Sequence, residues 1–162
     1  GSCSLATNRQ VAAFIEAGRP ALAIDPLQIA SGADVVGDVL NWAAPLLADG
    51  PVLVYSTAET GSVKSIQSQL GVEAAGAMVE RTIAAIARGL VERGVRQLIV
   101  AGGETSGACV QALEISQMQI GPQIDPGVPW CHAQTPLGAI HITLKSGNFG
   151  TDDFFTKAFG LL

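Results

Sequence analysis

Apolar residues along the chain gather in short runs separated by Gly- and Pro-containing breaks, and their spacing switches between helical and extended periods. Leu5, Val11, Ala12, Phe14 and Ile15 repeat at mostly helical intervals behind Ser4, a side chain suited to capping a first turn, until Gly18-Arg19-Pro20 stops the pattern. Ala21 to Ile24 reads as a short buried strand closed by Asp25-Pro26, and residues 34 to 48 return to helix through Val36, Leu40, Trp42, Ala43, Leu46 and Leu47. After Gly50-Pro51, the run Val52 to Tyr55 has the β-branched and aromatic character of a strand. Residues 56 to 71 are rich in Ser, Thr, Gly and Gln, show no period, and read as a long loop. The most regular stripe lies within 72 to 93, where Val79, Ile83, Ile86 and Leu90 share one helical face and Glu80, Arg81, Arg88 and Glu92 fall elsewhere.

Gln97 to Ala101 is an apolar strand that runs directly into Gly102-Gly103, and residues 105 to 113 then turn helical. Beyond it the pattern predicts a strand over 118 to 120, a turn at Asp125-Pro126-Gly127-Val128-Pro129, a strand over 138 to 144, and a closing helix near 152 to 159. Strands alternating with helices predict an α/β fold, a layered sandwich with a mostly parallel central sheet flanked by helices, because parallel neighbours need a crossover such as the helix at 72 to 93. The stretch from 129 to 144 looks antiparallel, which would make the sheet mixed. In such folds ligands collect at the carboxyl ends of strands, where loops meet helix N-termini.

Composition narrows this picture. A length of 162 residues with 48% hydrophobic content suits one domain with a sizeable core, and 19 glycines allow close packing of helices on a sheet. A net charge of −5, with no run of Lys or Arg, argues against a nucleic-acid partner. The longest apolar runs, such as 95 to 101, fall far short of the ~20 residues that span a bilayer, so no membrane segment is expected. Cys3, Cys109 and Cys131 are odd in number and lack CxxC spacing, which favours a reducing, cytoplasmic setting over a disulfide framework or zinc site.

The sharpest chemical signal is Gly102-Gly103-Glu104-Thr105-Ser106-Gly107, directly after a strand and opening a helix. A phosphate at the first turn of a helix meets unpaired N–H groups, and glycines let it approach without a Cβ in the way. Thr105 and Ser106 add hydroxyls. Glu104 repels phosphates unless Mg²⁺ bridges them or it turns to ribose hydroxyls. The bland alternative is a tight turn followed by an acid favoured at a helix N-terminus. The segment lacks the Gly-Lys-Ser/Thr ending of a Walker loop and does not fit GxGxxG.

A second glycine turn, Lys145-Ser146-Gly147-Asn148-Phe149-Gly150, follows the strand at 138 to 144. Lys145 offers a cation, and Ser146 and Gly147 offer hydrogen bonds to a phosphate or base; the alternative is a solvated loop before a helix capped at Asp152 or Asp153. Trp130 reads as half-buried beside a proline-stiffened turn, the alternative being a stacking surface for adenine. His132 and His141 have no metal-ligand spacing and read as structural, and the cysteines receive no catalytic role.

Taken in order, Gly1-Ser2-Cys3-Ser4 with Ala6-Thr7-Asn8 and Gln10-Val11, then 101 to 107, Ile120-Gly121, 124 to 130, and 144 to 150 resemble the C-terminal domain of the four-carbon acid sugar kinases along essentially the whole chain. The resemblance implies an ATP- and Mg²⁺-dependent kinase acting on threonate, erythronate or 3-oxo-tetronate. Carried over by motif, Ser2, Gly102, Gly103, Glu104, Thr105, Ser106 and Gly147 would contact ATP, with Lys145 as a charge stabiliser. It also implies a native N-terminal domain that holds most sugar-acid contacts and the general base, so this chain alone would be inactive; a homodimer is allowed. Two rival readings are a non-catalytic nucleotide or sugar-phosphate binding module and a dinucleotide oxidoreductase.

Overall fold

The computed structural model describes residues 1–56 and 71–162. The long loop read at 56 to 71 therefore falls, from 57 to 70, outside the described residues. Helix α1 (Leu5–Glu16) begins at Ser4, whose hydroxyl accepts from the Thr7 amide as expected of an N-cap. Strand β1 (Ala21–Ala23) leads to a short helix, α2 (Pro26–Ala30), which the sequence reading passed over. Asp25 caps α2 and Pro26 occupies its first turn, so the Asp-Pro pair both ends a strand and starts a helix. Helix α3 (Val35–Ala43), strand β2 (Leu53–Tyr55) and the 21-residue helix α4 (Val72–Glu92) follow at the expected places.

Strand β3 (Gln97–Ala101), helix α5 (Gly103–Ala112), strands β4 (Met118–Asp125), β5 (Val128–Thr135) and β6 (Gly138–Lys145), and helix α6 (Phe154–Lys157) with a 3₁₀ turn over Ala158–Leu161 complete the fold. Two strands depart from expectation. β4 runs five residues past Ile120, through Gly121-Pro122, because it lies at the sheet edge, where a missing N–H costs little; its register shifts at this point. β5, read as a turn around Pro129, is a full strand between β4 and β6.

The sheets are mixed. β1 pairs parallel with β2, and β3 pairs parallel with β6, while β4–β5 and β5–β6 are antiparallel, giving the order β3-β6-β5-β4 for the larger sheet. Strand alternation sorts the core into layers. Val100, Ala133, Ile140 and Ile142 pack with Val91, Cys109 and Leu113 from α4 and α5. From the other face, Val128 and Trp130 pack with Val11 and Phe14 of α1 and with Phe154 and Phe155 of α6. A third cluster joins Ile24, Val39 and Leu40 to Ile86 and Leu90. The layered α/β expectation holds and the sheet is mixed, but the larger sheet is not mostly parallel, because two of its three ladders, both within 118 to 145, are antiparallel.

Candidate functional site

Parallel pairing decides where the two glycine turns lie. Ala101 stands opposite Lys145, and the Gly102 amide donates to the Lys145 carbonyl at 2.9 Å, so the segments at 102 to 107 and 145 to 150 leave neighbouring strands side by side. The approach to α1 closes over both. A Cβ built on Gly102 would lie 3.0 Å from the Gly1 carbonyl oxygen, and one on Gly147 would lie 2.7 Å from Ser2 Oγ and 3.0 Å from Ser4 Oγ. Gly1 thus meets Gly102, and Ser2 meets Gly147, although each pair is more than a hundred positions apart along the chain.

Helix α5 opens toward this junction without a side-chain cap, behind Gly102 at φ 110° and ψ 133°, a conformation that L-residues rarely adopt. The amides of Gly103, Glu104 and Thr105 precede Ser106, the first intrahelical donor, and have no partner within the helix. The Ser106 amide, by contrast, donates to the Gly102 carbonyl at 2.9 Å and is already committed. Gly103 and Glu104 are exposed, and open space surrounds the position of a Cβ on Gly103. Thr105 is buried with its hydroxyl 3.5 Å from the Gly1 carbonyl. Ser106 Oγ is buried with no hydrogen-bond partner among the described residues, an unsatisfied group that costs about 1–3 kcal/mol unless something else meets it.

Lys145 is fully buried. Its ammonium donates to Thr7 Oγ1 at 2.9 Å, the Gly147 carbonyl at 3.0 Å and the Ser146 carbonyl at 3.2 Å, which uses all three of its protons. The charge therefore sits beneath the second turn, facing inward, and not out in the mouth of the site. Burial lowers its pKa to about 8. The Gly147 carbonyl also accepts from the Ser4 and Thr7 hydroxyls, so one oxygen ties the second turn to the start of α1.

Several residues that hold this arrangement were given no role from the sequence. Gln10, fully buried on α1, donates to the carbonyls of Phe149, Gly150 and Thr151 at 3.0–3.1 Å. A polar residue on the apolar face of a helix was the available signal. Asp125 accepts from the Thr151 amide and from Lys157 Nζ, fastening the far end of the same loop. Burial pushes the Asp125 carboxyl up, and these hydrogen bonds outweigh it, leaving the group below its ordinary range. Glu80 on α4 meets Glu104: burial first, then the Glu104 charge and a hydrogen bond that the protonated Glu80 donates to Glu104, raise the Glu80 carboxyl.

The remaining candidates stand apart. Trp130 is fully buried, donates through Nε1 to the Ala158 carbonyl at 2.9 Å and packs edge-on against Phe159. It is neither half-buried nor a stacking platform, because β5 is a central strand whose inward residues face α1 and α6. His132 and His141 are cross-strand neighbours with ring centroids 5.3 Å apart, and His141 lies four residues, about 13 Å, back along β6 from Lys145. All three cysteines are free, and burial pushes Cys109 up to about 11.

Comparison with known proteins adds to this geometry. The family model described as "Nucleotide-binding C-terminal domain" matches residues 1–155. A 3-oxo-tetronate kinase of Pseudomonas fluorescens is 54% identical over 164 residues, covering 100% of this chain and 37% of that protein. One from Burkholderia multivorans is 56% identical over 158 residues, covering 98% and 36%. The chain thus spans little more than a third of the length of the curated relatives it matches. A crystal structure of a Haemophilus influenzae protein superposes with TM-score 0.83 at 36% identity, covering 99% of this chain and 39% of that one. A Bordetella bronchiseptica protein at 21% identity, a domain-swapped dimer with bound citrate, shares the fold with TM-score 0.69. Among the described residues no helix is long and apolar enough to cross a membrane. With the match running from Gly1 to Phe155 and the ordered motifs in place, the chain belongs to the nucleotide-binding C-terminal domain family of the four-carbon acid sugar kinases.

Proposed function

We propose that this chain is the ATP-binding part of a kinase that transfers the γ-phosphoryl group of ATP to a hydroxyl of a four-carbon sugar acid, with 3-oxo-tetronate as the first substrate to test. The observation that carries the reading is the meeting of open amide donors at Gly103, Glu104 and Thr105 with Ser2 and the Gly147 turn, at the carboxyl ends of β3 and β6. A polyphosphate laid there would be met by the α5 amides, the positive end of that helix and the Ser106 hydroxyl, which has no partner among the described residues. Ser2 and the backbone of Gly147 would bound its other side.

Lys145 acts from below in this scheme. It holds the Gly147 carbonyl and Thr7 in place and lends positive charge to the cradle without leaving its three acceptors. For Mg²⁺ the donor set fits in part: Glu104, with Glu80 beside it, supplies hard carboxylate oxygens at the edge of the open amides. No group of three or more His, Cys, Asp or Glu gathers among the described residues. When bound, Mg²⁺ neutralises charge on the β- and γ-phosphates. The protein's own part is to position the donor and to stabilise charge that spreads during transfer. The general base and the sugar-acid contacts are assigned to the further polypeptide that the relatives possess.

Calorimetric titration of residues 1–162 with ATP, ADP and NAD, and an ADP-release assay on the longer chain with 3-oxo-tetronate, threonate and erythronate, test the reading. Binding of ATP or ADP, with turnover only in the longer chain, is the expected result. A preference for NAD, or tetronate phosphorylation by residues 1–162 alone, would refute it.

A further inference from the structure

Strands β2 and β3 belong to separate sheets, and among the described residues nothing pairs with β2 on the side away from β1 or with β3 on the side away from β6. Between them lies a slot with about 910 Å³ of empty space, its open mouth included. Strand edges form two of its walls. The helical layers form the others, with Val11, Phe14 and Phe155 on one side and Ile83, Ile86 and Leu90 on the other. Its lining is mainly apolar, yet two rows of backbone N–H and C=O groups run along it. Such groups are costly to bury without partners, and neither a small apolar molecule nor water filling the apolar walls satisfies both features. An extended polypeptide does, since it hydrogen-bonds at both edges and sends alternate side chains into the two helical layers.

We propose that the slot holds one strand of about five residues, matching β3, formed by the residues that lead directly into Gly1 in the longer polypeptide, and that it joins the two sheets into one. Position selects this occupant. Gly1 lines the slot at its carboxyl end, against Gly102 and Thr105, so chain entering Gly1 through the slot runs in the same direction as β3. The relatives carry the length needed, because this chain covers only 37% of the Pseudomonas fluorescens protein, and the matching family is a C-terminal one. The Gly1 amino group is also in an unfavourable place for a charge, with burial the main influence lowering its pKa, whereas a peptide bond there carries none.

This assignment gives the strand a part in binding. It would hold Gly1 and Ser2 in the place they already take against Gly102 and Gly147, adding rigidity to a junction of glycine turns that residues 1–162 form by themselves. The inference rests on the longer chain of the relatives and not on phosphoryl transfer, so failure of the kinase reading leaves it standing.

Backbone hydrogen exchange on the longer chain and on residues 1–162 tests it. In the longer chain the slot-facing amides of β2 and β3 should exchange ~100-fold more slowly than in residues 1–162. If residues 1–162 do not fold, slow exchange at both slot-facing edges in the longer chain still supports the strand, and fast exchange at either edge overturns it. As a second measurement, the thiol of Val54→Cys should react with a maleimide in residues 1–162 and be blocked in the longer chain. Equal reactivity in both would overturn the proposal. So would protection in residues 1–162 that rises with protein concentration, since that outcome places a second copy in the slot.

Discussion

Adjacent glycines at the start of α5 make opposite demands, and alanine substitutions separate them. At Gly102 the backbone sits at φ 110° and ψ 133°, and an added Cβ would lie 3.0 Å from the Gly1 carbonyl oxygen and 3.3 Å from Thr105 Oγ1. The conformational strain alone is of order 1–3 kcal/mol, and the clash is with backbone, which cannot swing aside as a side chain does. Gly102→Ala should therefore cost about 2–4 kcal/mol, or roughly 5–15 °C in Tm for a domain of this size. At Gly103 the backbone is helical and nothing lies within 4 Å of the added Cβ, so Gly103→Ala should be neutral or raise stability by about 0.4–1 kcal/mol through the unfolded chain. The same methyl projects where a phosphate would approach the open amides, and ATP affinity should fall about tenfold or more, equivalent to ~1.4 kcal/mol. Thermal unfolding and calorimetric titration of ATP on both variants read out the contrast. Unchanged ATP affinity in a folded Gly103→Ala protein would refute the placement of the phosphate, and an unshifted Tm in Gly102→Ala would refute the strain argument.

Three further outcomes follow from the same geometry. Ser106→Ala removes a buried hydroxyl that has no partner among the described residues, so it should leave Tm unchanged or raise it by up to about 1 kcal/mol equivalent while weakening ATP binding; a clear loss of stability would mean the hydroxyl is satisfied within the protein. Lys145 titrates near 8 in the fold against ~10.4 unfolded, so between those values the unfolded chain binds more protons and this residue's contribution to stability rises with pH. In the fold its positive charge is lost as pH rises through about 8, so ATP affinity measured by calorimetry should fall there, and Lys145→Met should flatten that profile. For Asp125 the fold lowers the pKa, so its stabilisation is present above the ordinary value near 3.9 and disappears as pH falls through the folded value; Asp125→Asn should cost about 2 kcal/mol at pH 7 in chemical denaturation and converge with the parent protein in acid.

Local order was legible along much of the chain. Ser4 ahead of an apolar stripe, the long period of 72 to 93, and an apolar strand entering Gly102-Gly103 each specify an element through interactions among near neighbours in sequence, which is why α1, α4, β3 and α5 appear where the pattern put them. The glycine turns themselves were legible for the same reason, since φ preference and small size are properties of single residues. What tertiary structure alone decided was partnership. Whether Gly121-Pro122 ends a strand depends on its lying at an edge, and whether Trp130 meets a ligand or the core depends on which strands flank β5. Lys145 looks like a phosphate cation in sequence, but Thr7, Ser146 and Gly147 take its protons because α1 packs across the end of β6. Hydrogen-bond partners and burial arise between segments distant along the chain, and one-dimensional periodicity carries no record of which segments those are.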